Sequence, residues 1–146
     1  MAGYTREDIE KKLAEKTEEP PSFANANLSG LDLSGIVFSG FDLSGANFSG
    51  ANLENTNFSA SNLVNAGFKD AKLSGANFTS ANLSGVDLSK FHLEGIDFAN
   101  ADLGKSNLSE ANLNDANLAN AKLGEANLAK AHLERADLRG AQLVET

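Results

Sequence analysis

Ala51-Asn52-Leu53-Glu54-Asn55 and Ala101-Asp102-Leu103-Gly104-Lys105 are two copies of one five-residue unit. Working outward from either copy, every fifth residue from Phe23 to Leu143 is Leu or Phe, 25 centres of which 18 are Leu and 7 are Phe. Two residues before the centre, 15 of the 25 are Ala, and most of the others are small or apolar, as in Leu31, Ile36, Phe41, Val86, Phe91 and Ile96. The residue immediately before the centre is Asn or Asp in 17 of 25 units. No insertion or deletion breaks this register from Pro21 to Glu145. Such a repeat decides the fold before any local propensity is consulted.

A period of five belongs to neither a helix nor a strand. On an α-helix, residues five apart are turned by about 140° and would scatter Leu around the whole circumference. Along one strand, an odd spacing puts successive centres on opposite faces. The pattern works when each unit is a short extended piece followed by a turn. The centre and the residue two before it then share the inward face. Four pieces make a coil of 20 residues, and stacked coils pair their backbones like neighbouring strands.

These units resemble the pentapeptide-repeat family, whose repeat is commonly written A(D/N)LXX. The resemblance covers residues 21–145. It implies an all-β solenoid, a right-handed quadrilateral β-helix of about six 20-residue coils, roughly 30 Å long at about 4.8 Å per coil. The expected organisation is an N-terminal capping helix and linker over 1–20, followed by the repeats over 21–146.

Residues twenty apart should stack in columns. One column of centres reads Phe38, Phe58, Phe78, Phe98, Leu118 and Leu138, and the opposite one includes Phe48 and Phe68. Both read as core ladders. Phe41 and Phe91 put a large ring in the small register, which predicts local repacking and not a ligand pocket. Gly recurs at the last position of the unit up to Gly95, where Lys105, Glu110 and Arg135 later stand. Those bulky residues suggest that a positive φ is not mandatory there, and that the Gly-rich and charged halves could turn differently.

The first twenty residues lack the repeat. Thr5-Arg6-Glu7-Asp8 has the form of a capping box, with Tyr4 and Ile9 spaced as a hydrophobic staple. Glu7 with Lys11 and Asp8 with Lys12 are favourable i,i+4 pairs, and Pro20-Pro21 ends the element. A helix near 6–16 is too short to stand alone. Its apolar side, Tyr4, Ile9 and Leu13, is expected to cover the open first coil. At the other end only Val144-Glu145-Thr146 follow the last centre. The last coil, Leu128, Leu133, Leu138 and Leu143, is therefore either shielded by rim charges such as Glu134, Arg135 and Arg139 or joined to a second copy. The resemblance implies the latter as one option, since several family members dimerise through the C-terminal coil.

Composition narrows function by exclusion. The chain has 146 residues and a formal charge of −8, −2 of it in the first twenty residues and −6 in the repeats. An acidic surface argues against direct nucleic-acid binding, which needs basic residues for phosphates. With no cysteine there is neither a disulfide framework nor a thiolate nucleophile. The longest run of large apolar residues is Ile36-Val37-Phe38, against roughly 20 needed to span a bilayer. The charged N-terminus has no apolar segment of a secretion signal. A cytoplasmic location is the expectation, with a processed organellar or lumenal form as the alternative.

No catalytic, cofactor-binding or metal-ligating constellation emerges. His92 and His132 share an outward position but lie two coils, roughly 10 Å, apart, too far for joint ligation. The Asp and Glu residues do not converge as an acid–base pair. A rod without inserted loops is expected to offer no obvious concavity, so an enzyme and a cofactor are not expected. What remains is surface. The wall over Phe38, Phe58, Phe78 and Phe98 is the plainest, with Ser39, Asn57, Ser59, Asn77, Thr79, Asp97 and Asn117 pointing outward. It reads either as a solvated wall of small residues or as a flat docking face for an unknown protein partner. Ice binding is disfavoured, because Thr79 is the only outward threonine of that wall. The resemblance supplies one alternative function. Some family members mimic duplex DNA and bind type II topoisomerases, protecting them from quinolones.

Overall fold

In a computed structural model, which describes residues 3–146, the repeat region is a solenoid. Residues pair in parallel at a separation of 20, from Ser22 with Asp42 to Lys122 with Gln142. Most inner units supply the same three bonds. The centre N–H and the N–H two residues later donate to the following coil, as Leu28 N to Asn47 O (2.8 Å) and Gly30 N to Ser49 O (2.9 Å). The residue before the centre donates back, as Asn47 N to Ala26 O (2.9 Å). Between these rungs a turn closes, with Ala26 N donating to Phe23 O at 3.0 Å.

That turn corrects one expectation. All 25 residues at the last position of the unit have positive φ, from 55° at Ala60 to 77° at Gly40, and 16 of them are not glycine. Lys105, Glu110 and Arg135 turn as Gly45 does. A left-handed residue at the third turn position, under a carbonyl-to-amide bond spanning four residues, is the arrangement of a type II turn. Bulky side chains are admitted because they project into solvent, so only the backbone strain remains.

The Asn and Asp residues have a shared task. In all 17 units that carry them, the side-chain oxygen accepts the backbone N–H two residues on, as Asn57 Oδ1 from Ser59 N (2.9 Å). This bond satisfies an amide at the turn that no strand reaches. Along the columns the same side chains also bond one another, for instance Asn62 Nδ2 to Asp42 Oδ1 at 3.1 Å.

Inside, the two aromatic columns meet. Phe38, Phe58, Phe78 and Phe98 stack at centroid spacings of 5.7, 5.2 and 5.3 Å, and Phe48 stacks on Phe68 at 5.3 Å. The columns touch edge to face across the core, as Phe48 with Phe58 at 5.7 Å and 75°. Ala fills the second inward register because two ladders of rings leave room for little else. Hydroxyls in that register need a carbonyl: Thr56 Oγ1 donates to Leu33 O (2.9 Å) and Ser61 Oγ to Phe58 O (2.6 Å). Ser106 Oγ is buried without a partner. Ser106→Ala is therefore expected to raise stability by about 1 kcal/mol by removing a desolvated hydroxyl. A urea titration showing a loss instead would mean that this hydroxyl is bonded.

The helix α1 spans Arg6–Ala14, two residues shorter at its end than expected, with Glu15 as an extended C-cap. Thr5 is the N-cap and forms the capping box with Asp8. The ion pair along the helix is Arg6 with Glu10 at 2.7 Å, not Glu7 with Lys11 or Asp8 with Lys12. Asp8 is occupied by Thr5. Lys12 instead reaches over the repeats, where Nζ donates to Ser22 O (3.0 Å) and sits 4.8 Å from the Phe23 ring centroid. Arg6 Nη1 donates to Asp32 O (3.0 Å) and Ser34 O (3.2 Å). Ile9 is fully buried, and the Tyr4 ring meets Phe23 edge-on at 5.7 Å. The helix thus lies against the first repeats, burying Ile9 and occupying carbonyls that would otherwise edge a sheet. The first two residues of the expected 1–20 segment lie outside the described residues.

Candidate functional site

The wall named from sequence is brought together on one side. Asn57, Ser59, Asn77, Thr79, Asp97 and Asn117 are half-buried by their own stacking, while Ser39 is exposed. Ser39 Oγ and Ser59 Oγ are 2.9 Å apart, and Asn117 Nδ2 donates to Asp97 Oδ1 at 3.2 Å. Asn57, Asn77, Asp97 and Asn117 each hold a turn amide with the remaining oxygen capacity. The wall is thus a lattice of pre-ordered polar groups, which costs little side-chain entropy to dock. Val37 belongs to it as well, 55% exposed, a residue that sequence reasoning passed over. Its signal was available: it stands where 17 of 25 units carry Asn or Asp.

At the C-terminal end, Leu128, Leu133 and Leu138 are half-buried, and Leu143 and Val144 are 48% and 72% exposed. The rim charges are mostly committed to one another. Arg135 grips Asp115 through two nitrogens at 2.6 and 2.8 Å, and Arg139 pairs with Asp137 at 2.6 Å. The hydrogen bonds from Arg139 hold the Asp137 carboxyl down at about 2, and those from Arg135 lower Asp115. Asp32 and Asp42 are lowered in the same direction by the Ser34 and Ser44 donors. These carboxylates keep their charge well into the acid range. His92 and His132 are both exposed and each pairs with Asn112 in the ladder, so they lie two coils apart as expected. Among the described residues no group of His, Asp and Glu is arranged to hold a metal ion, and no helix is long and apolar enough to cross a membrane.

The expectation of no concavity is overturned near Phe91. The ladder is continuous from Asn47 to Gly67 and again from Asp87 to Asn107, but Gly67 and Asp87 do not pair. Likewise Asn52 pairs with Lys72 and His92 with Asn112, while Lys72 and His92 stay apart. The other two walls run through unbroken, as Asn77 with Asp97 and Asn82 with Asp102. The result is a breach open on two sides, with a volume of about 820 Å³, bordered by the half-buried Phe91 and by the buried Phe68 and Leu73.

Its cause is volume. The coil carrying Val86, Phe91 and Ile96 faces one carrying Ala66, Ala71 and Ala76. Val86 and Ile96 are taken into the core, but Phe91 is only half-buried and holds the coils apart. Overfilling a tight interior shifts the backbone in this way. Leu31, Ile36 and Phe41 overfill the same register without a breach: the chain twenty residues before Leu31 and Ile36 lies outside the repeats, and Phe41 sits over Pro21 at the start of the first unit, where Ser22 still pairs with Asp42. There Phe41 packs on Phe23 at 6.2 Å and Phe38 at 6.3 Å. Gly67, Lys72 and His92 also lack the Asn or Asp that locks the turn in 17 of the 25 units.

Comparison with known proteins places this geometry. A family model described as a pentapeptide repeat region matches residues 21–98, 43–118 and 76–146. Among solved structures, the chain is similar to HetL, a pentapeptide repeat protein involved in heterocyst differentiation regulation from the cyanobacterium Nostoc sp., at 29% identity and a TM-score of 0.55. That likeness covers 83% of this chain and 63% of HetL. It is also similar to a trypsin-treated form of QnrB1, a plasmid-mediated fluoroquinolone resistance protein, at 27% identity and a TM-score of 0.58, over 84% of this chain and 65% of that one. The chain therefore spans less than two thirds of the length of either relative. No curated protein sequence matches it.

Proposed function

We propose that this chain, which belongs to the pentapeptide-repeat family, is a non-enzymatic binding or scaffold protein that offers a flat wall to a protein partner. Its repeats are read as a right-handed quadrilateral β-helix of about six coils, capped by α1 at one end, in the cytoplasm. The observation that carries the docking role is the pre-ordered polar lattice around Asn57, Ser59, Asn77 and Thr79, in which Asp97 is the one charge before Asp137. A Ser59→Lys/Asn77→Lys/Thr79→Lys variant adds three charges there without touching the core. Affinity capture from the native cell extract should recover partners with the wild type that the variant loses. Equal recovery by both would sink the docking face.

The exposure of Leu143 and Val144 supports a homodimer through the C-terminal coil. Light scattering at tens of micromolar should return twice the monomer mass, and a monomer refutes it. A second reading, DNA mimicry toward a type II topoisomerase, is favoured by the likeness to QnrB1. Charge weighs against it, since duplex DNA carries about 18 charges over 30 Å and the repeats a net of −6. A gyrase supercoiling assay unaffected with and without quinolone would remove it.

A further inference from the structure

The breach exposes what a solenoid otherwise shows only at its ends. On one lip the N–H groups of Phe68, Asp70, Leu73 and Gly75 lack the bonds to the next coil that their counterparts at Phe48, Gly50, Leu53 and Asn55 make. On the other lip the N–H groups of Asp87 and His92 lack the bonds back to Ala66 and Ala71. Unpaired backbone of this kind in a strand register is a template for one more strand. The cavity volume of about 820 Å³ lies within the range of sites that hold drug-sized ligands.

Charge says what kind of strand. Between residues 21 and 98 the repeats contain three basic residues, Lys69, Lys72 and Lys90, and all three line the breach. None of them is within ion-pair distance of a carboxylate among the described residues. Glu54, Asp70 and Asp87 line it too, so the site is locally balanced on a chain of net charge −8. Elsewhere between residues 21 and 98 the repeats carry no ammonium group; here three of them, unpaired, can receive the carboxylates of a segment.

We propose that the breach is a docking groove for an extended acidic peptide segment of a protein partner. The segment pairs by main-chain hydrogen bonds with the lips, lays an apolar side chain on the half-buried Phe91, and turns carboxylates toward Lys69, Lys72 and Lys90. This site is independent of the wall over Phe78, and either can fail without the other.

The test uses the full chain and a labelled peptide of alternating valine and glutamate, followed by fluorescence anisotropy. Binding should be at least about tenfold tighter than for the valine–lysine peptide of equal length, a difference of about 1.4 kcal/mol. It should fall by a similar factor when alternate peptide nitrogens are methylated. Phe91→Ala should let the coils close, slowing amide exchange at residues 68–75 and abolishing binding with an unchanged far-UV spectrum. Lys69→Glu/Lys72→Glu, on a wild-type core, should reverse the preference toward the lysine peptide. The proposal is overturned if the glutamate peptide does not bind at millimolar concentration, if N-methylation is without effect, or if the charge reversal leaves the preference intact.

Discussion

Phe78→Ala is expected to lower the unfolding free energy by about 3–5 kcal/mol. The ring is fully buried and sandwiched between Phe58 at 5.2 Å and Phe98 at 5.3 Å, with Phe68 edge-on at 6.3 Å. Lost burial contributes part of the cost, and the remainder depends on whether the hole can collapse. Here it cannot easily do so. Phe58 N is tied to Asn77 O at 2.8 Å and Phe78 N to Asp97 O at 2.9 Å, so the coils above and below are held at ladder spacing. The same truncation at Phe91, which is half-buried where the ladder is broken, should cost far less or stabilise. Urea unfolding of the two variants side by side checks this. Equal losses would mean that the aromatic columns are not the core's principal support.

Much of this was legible in the sequence, for a physical reason. A period of five repeated over 25 units leaves only one way to keep Leu and Phe inward. The columns and the two-coil separation of His92 and His132 follow from arithmetic in twenties, whereas the edgewise meeting of Phe48 with Phe58 does not. The Thr5 cap was readable because its chemistry is local. Less legible was the positive φ at the last position of the unit, since Lys105 and Glu110 mask a rule that Gly alone would have announced. A subtler sign was present: none of the 25 residues there is Val, Ile or Thr. The breach was hidden for another reason. Phe41 and Phe91 look alike in one unit, and only the neighbour twenty residues earlier separates them. Beneath Phe91 lies Ala71, inside the repeats; beneath Phe41 lies Pro21, the first residue of the repeats.

That absence of β-branched residues yields the second large effect. Ser80→Val, Lys105→Val and Glu110→Val together should cost on the order of 2–4 kcal/mol, about 0.5–1.5 kcal/mol per site beyond the left-handed cost that the present residues already bear. The three residues are exposed, with φ of 59°, 59° and 58°, and no two of them stack in one column. Burial and cavity terms are therefore absent, and the loss reads the backbone alone. An L-residue already gives up energy in the left-handed region, and branching at Cβ crowds the adjacent carbonyl further. Glycine at the same three sites relieves that strain but adds freedom to the unfolded chain, so the net change should be within about 1 kcal/mol of zero. Denaturant titrations of both triple variants separate the two terms. If the valine variant unfolds at the wild-type midpoint, the turns do not hold these residues at positive φ. If the glycine variant is destabilised as much as the valine one, side-chain contacts and not backbone geometry account for the loss.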